Sequence, residues 1–154
     1  LDTTCRWLHQ RGALSRRQID GTARAIAGAE GRLPMVLAHH PFHQGERVRK
    51  RPMLGACRAL ATWAQAGPHV LMTGHLHSWL VEPFLARRGG GQALHIHCGT
   101  STSTRRRGTP NDFALIEVTG RRVAVTRHAG TRDAGFRATD TVAYTATAEG
   151  WQPA

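Results

Sequence analysis

The chain has 154 residues, 40% of them hydrophobic, and 21 basic against 10 acidic residues give a formal net charge of +11. That length suits one domain with a sizeable core, and no apolar run reaches the roughly 20 residues that a membrane helix needs. Three scattered cysteines, Cys5, Cys57 and Cys98, lack C-x-x-C spacing; they point away from a disulfide framework and toward a reducing, cytoplasmic setting.

Taken in order, Leu1-Asp2-Thr3 reads as the tail of a strand. Ser15, with Leu14 before it and Gln18 three residues on, predicts a helix start of the capping-box kind. Ile19, Ala23, Ile26 and Ala27 recur at helical spacing, and Gly28 or Gly31 ends the run. Met35, Val36, Leu37 and Ala38 are apolar without alternation, the pattern of a strand buried on both faces of a parallel sheet. A charged loop from His43 to Pro52 follows. Gly55 to Gln65 predicts a second helix, stopped by Gly67-Pro68, and 70–74 a second buried strand. Strand, helix and strand in this order imply parallel crossovers and an α/β layer. Short β runs come next: Trp79 to Leu85, Ala93 to Cys98, Phe113 to Thr119 and Arg122 to Arg127, an antiparallel or mixed flank. From Ala129 onward the Ala, Thr and Gly content predicts a tail with at most one edge strand near Val142–Thr145.

Both buried strands run out into histidines, as Ala38-His39-His40-Pro41 and Gly74-His75-Leu76-His77. Ligands of open α/β sheets gather outside the carboxyl ends of the strands, and imidazole is the commonest metal ligand. On an extended chain residues i and i+2 point the same way, so His75 and His77 are expected to face one cavity. By the same rule adjacent residues diverge: His39 and His40 turn to opposite faces and cannot both easily reach one ion. His95 and His97 share the spacing but alternate with Leu94 and Ile96, as in an ordinary half-buried strand, and no ligand role is expected for them. None is expected for His9, His43, His69 or His128 either. Arg105-Arg-Arg107, in a loop with Gly108 and Pro110, is a candidate phosphate grip, because guanidinium pairs bidentately with phosphate.

The two histidine motifs, in this order, resemble the second half of the calcineurin-like metallophosphoesterase signature. Leu1-Asp-Thr3, Gly12-Ala-Leu-Ser15 with Gln18, and Gly99 to Arg105 through Pro110-Asn111-Asp-Phe113 resemble the bacterial cyclic-nucleotide-phosphodiesterase-like members. The resemblance implies an α/β fold, the second half of a four-layer α/β/β/α sandwich: two βα units and then a mixed or antiparallel β flank. Residues 1–128 would be a partial domain without its N-terminal half, and 129–154 a C-terminal tail. It further implies a metal-dependent hydrolase acting on a phosphoester, a small molecule or a nucleotide, with two divalent ions (Mn, Fe or Zn) in the complete domain. His39 and His75 would hold one ion and His77 the other; His40 would protonate the leaving oxygen, and Arg105 would bind substrate phosphate.

The family's carboxylate motifs, Asp-x-His, Gly-Asp and Gly-Asn-His-Asp, are absent, and Asp2, Asp20, Asp112, Asp133 and Asp140 stand in other contexts. The chain is therefore expected to supply only the C-terminal ligands. Two other readings accompany this one. The first is a catalytically incompetent remnant or scaffold that keeps the fold. The second is a basic nucleic-acid binder, not favoured because the arginines are scattered and aromatics for stacking are few.

Overall fold

The capping box forms as its sequence dictates. Gln18 N–H donates to Ser15 Oγ at 3.3 Å, and Ser15 N–H returns a bond to Gln18 Oε1 at 2.9 Å. In the computed structural model, which describes residues 1–7, 11–42, 52–84, 92–104, 108–131 and 135–154, helix α1 (Arg16–Ala27) runs from that cap to Gly28. Strand β1 (Met35–Leu37), helix α2 (Ala56–Ala64) and strand β2 (His69–Thr73) follow, then β3 (Leu80–Phe84) and β4 (Ala93–His97). These strands make one sheet of order β1-β2-β4-β3, in which β1, β2 and β4 are parallel and β3 runs antiparallel to β4. The expected β flank thus divides, with its first two strands joining the parallel sheet.

The second sheet is antiparallel throughout, in sequential order: β5 (Asp112–Thr119), β6 (Arg122–Thr131), β7 (Gly135–Thr147) and β8 (Gly150–Pro153). The tail expected beyond residue 128 holds two strands rather than one, and β7, at 13 residues, lies between β6 and β8. Its first eight residues are exposed, so the threonine-rich stretch has the β-branched character of a strand without the apolar alternation that marks one.

Among the described residues the layers are helices, first sheet and second sheet, three of the four in the expected sandwich. Ile19, Ile26, Leu60 and Trp63 pack on the helix-side face of the first sheet with Val36 and Leu71. Trp63 is fully buried and its indole N–H donates to Ile19 O at 3.0 Å, joining the two helices; truncation to alanine would cost about 3–5 kcal/mol. Val70, Leu94 and Ile96 from the first sheet meet Val123, Val125 and Trp151 from the second. The two edges of the first sheet differ. Met35 and Leu37 on β1 are 40% and 56% exposed, whereas β3 carries Pro83, which has no N–H to offer a further strand.

Candidate metal centre

Because β1 and β2 are parallel neighbours, both release the chain at the same end of the sheet, so residues 39–40 and 74–77 come together there. Past Leu37 the ladder continues for one bond, Ala38 N–H to Met72 O at 3.0 Å, and Gly74 N–H then donates to His39 O at 3.2 Å. His75 sits at φ 77°, with Leu76 N–H bonded to Gly74 O at 3.0 Å. This is a three-residue γ-turn of the rarer, strained hand. His77 is left-handed as well, at φ 56°. The extended geometry expected for His75 and His77 is therefore replaced by a coil of two unfavourable residues. Such conformations cost on the order of 1–3 kcal/mol each and persist only where the surroundings enforce them.

His39 Nε2 and His75 Nδ1 lie 3.1 Å apart. The His40 ring stands 4.9 Å, centroid to centroid, from both His39 and His75. One ligand atom from each of the three imidazoles falls within 4.8 Å of the others, and among the described residues this is the group able to hold a metal ion. His40 thus does not turn to the opposite face. The chain bends at residues 39 and 40 instead of staying extended, and consecutive side chains can converge on one side of a bend.

His40 is the most firmly seated of the three. It is buried, its Nδ1 lies 2.8 Å from Thr3 Oγ1, and its main-chain N–H donates to the same hydroxyl at 3.3 Å. Gly12, at φ 66°, lets the backbone press on the ring: a Cβ there would stand 2.5 Å from His40 Cγ. Burial, and then the neighbouring His39, push the His40 pKa below the ordinary imidazole value, which favours the neutral ring that a metal needs. Neither Thr3 nor Gly12 carried a signal for this role, because the contact spans 37 residues for Thr3.

His77 is not in the three-imidazole group; its carbonyl accepts a bond from Thr109 Oγ1 at 3.1 Å. The other i, i+2 pair is buried rather than half-buried. His95 Nε2 and His97 Nδ1 each lie 2.7 Å from Thr73 Oγ1, two residues before His75. A hydroxyl has a single proton, so at least one of these rings must donate to it. His97 Nε2 has no hydrogen-bond partner among the described residues. Its pKa is pushed down to about 4 by burial and then by His75 and His77, against the opposing pull of Asp112.

Asp112, set aside for want of a motif, ties the adjacent loop to the second sheet. Its buried carboxylate accepts from Gly99 N–H at 2.7 Å and from Arg127 Nη2 at 2.7 Å, while Arg127 lies over the Trp79 ring at 5.3 Å. Asp112 and Arg127 are brought together by a β-hairpin, which sequence spacing does not reveal. Arg105 lies outside the described residues.

A single cation suits this donor set, because three neutral imidazoles with an open position is a composition found at catalytic zinc sites. A close pair of cations does not suit it: among the described residues the group contains no carboxylate to bridge them or balance their charge. No protein-family model and no curated protein matches the sequence. Solved structures of similar shape include Vps29 from Entamoeba histolytica complexed with zinc, which is 14% identical with a TM-score of 0.41 and covers 92% of this chain and 96% of that one. A single mutant of the same protein is 14% identical at a TM-score of 0.41, covering 82% and 89%. A double mutant is 12% identical at 0.42, covering 86% and 95%.

Proposed function

We propose that the protein is a metal-dependent hydrolase of phosphoesters, with its site at the carboxyl ends of β1 and β2. The observation that carries this reading is the convergence of His39, His40 and His75, from two separate strand ends, to within 4.8 Å. A bound divalent ion supplies Lewis acidity toward a phosphoryl oxygen and makes water a stronger acid. The chain contributes the imidazoles and holds them in place: His39 and His75 would hold the ion, and Asp112 and Arg127 fix the loop that borders His77. The resemblance alone would instead have His40 protonate the leaving oxygen, His77 address a second ion and Arg105 meet the substrate phosphate, whether on a nucleotide or a smaller ester. No helix among the described residues is long and apolar enough to cross a membrane; a cytoplasmic location is part of the proposal.

Turnover of a chromogenic phosphodiester by the purified chain with added Zn²⁺ or Mn²⁺, abolished in His75→Ala, is the expected result. A second reading is favoured by the lack of a carboxylate in the histidine group: a catalytically silent module that keeps the fold. Complete inactivity of a well-folded sample with every divalent ion tried would leave only that one.

A further inference from the structure

We propose that His40 is itself a metal ligand, and that His39, His40 and His75 form a one-ion, all-imidazole site selective for zinc-class cations. The proposal rests on the reading that this cluster binds metal. It departs from the resemblance, which keeps His40 off the metal and brings His77 onto a second ion.

Three observations carry it. The first is the contact between His39 Nε2 and His75 Nδ1 at 3.1 Å. Two nitrogens bound tetrahedrally at 2.0–2.1 Å from zinc lie about 3.3 Å apart, so this pair is already spaced as neighbouring ligands of one ion. The second is the seating of His40. Metal-bound histidines almost always donate their other ring N–H to an oxygen, which sets the tautomer and aims the ring. Thr3 Oγ1 stands 2.8 Å from His40 Nδ1 for that purpose, and Gly12 presses on the same ring. With Nδ1 committed to Thr3, Nε2 is the nitrogen left for an ion. A proton donor that must swing to a leaving group has no need of such a clamp. The third is composition. The group holds imidazoles alone, and imidazole suits Zn, Cu and Ni whereas Mg and Mn favour carboxylate and water oxygens. Thr3 is accordingly a positioning residue.

The test is metal binding by the full chain, stripped with a chelator and titrated with Zn²⁺, Co²⁺ and Mn²⁺ separately in a calorimeter. The expected result is one equivalent of Zn²⁺ per chain, visible absorption of four-coordinate Co²⁺, and no heat of binding with Mn²⁺. His40→Ala should lose the stoichiometric zinc, His77→Ala should keep it, and Thr3→Val should weaken it roughly 10- to 100-fold. Histidine ring-nitrogen NMR of the unaltered chain gives the same answer should His40→Ala fail to fold. The nitrogens of His39, His40 and His75 should then shift on adding Zn²⁺ and those of His77 should not. Undiminished zinc binding in His40→Ala, or two equivalents of which one is lost in His77→Ala, would overturn the proposal while leaving a metal centre standing. Absence of binding by the unaltered chain with all three cations would remove the metal centre as well.

Discussion

Two pairs of histidines in this molecule have the same spacing and opposite fates. His95 and His97 lie within β4, fully buried, with both rings on the Thr73 hydroxyl. His75 and His77 lie just beyond β2, each at positive φ, and His75 joins an open cluster with His39 and His40. The register pairs Thr73 with His97, so the first pair lies inside the ladder that the second has left. The difference comes from the residues around each pair, not from the interval. Gly74 ends the ladder before His75, whereas Leu94 and Ile96 keep β4 in the core between the sheets. One pair is fixed by the fold; the other is held by it in strain.

Substitution by glycine should separate the two most sharply. His97→Gly removes a buried ring from a central strand and adds backbone freedom, and should cost about 3–5 kcal/mol in urea unfolding. A loss under 1 kcal/mol would mean that β4 is not packed as described.

Acid should come next. The folded-state pKa values of His97 and His69 lie below the ordinary 6.5, for both chiefly because of burial. Unfolding lets these rings take up protons that the native protein refuses, so this stability is intact above pH 6.5. It falls as pH drops through the window toward about 4, where His97 begins to charge in place. A tenfold change in proton affinity is worth about 1.4 kcal/mol, so His97 alone accounts for a loss on the order of 3 kcal/mol across that window. Urea midpoints over the same range should drop, and less so in His97→Gln; an equal drop in the variant would refute the buried-imidazole account.

The smallest effect has the opposite sign. His75→Gly places the residue best suited to φ 77° in the γ-turn, so stability should be unchanged or rise by up to roughly 1 kcal/mol. Thermal melting reads this directly, and a loss above 2 kcal/mol would show that the His75 side chain, rather than the fold around it, holds the turn.

Much of the frame was legible because its signals are local. The Ser15 cap with Gln18, the apolar runs that became β1 and β2, and the two helices all depend on neighbours a few residues apart. The site was legible only as far as its strand ends. Nothing in the order of residues announces that the chain bends at His39 and His40, so the period-2 rule sent His40 the wrong way. Thr3, Gly12 and the Asp112–Arg127 pair act across the fold, between segments that only the tertiary structure joins. Strand β7 was legible only at its half-buried end, near Val142–Thr145, for a different reason: its first eight residues are solvated, and a solvated strand has little need of the apolar alternation that betrays one.

The unequal margins of the first sheet bear on how the protein behaves at high concentration. Proline at position 83 deprives one margin of a hydrogen-bond donor, while the Met35 and Leu37 side is apolar and partly exposed, its Leu37 carbonyl accepting from the Leu1 amine. Growth into a fibril through this sheet requires two receptive sides per molecule. With a single one, contact between copies joins like to like and closes as a pair, so crowding through this sheet should yield dimers in place of filaments.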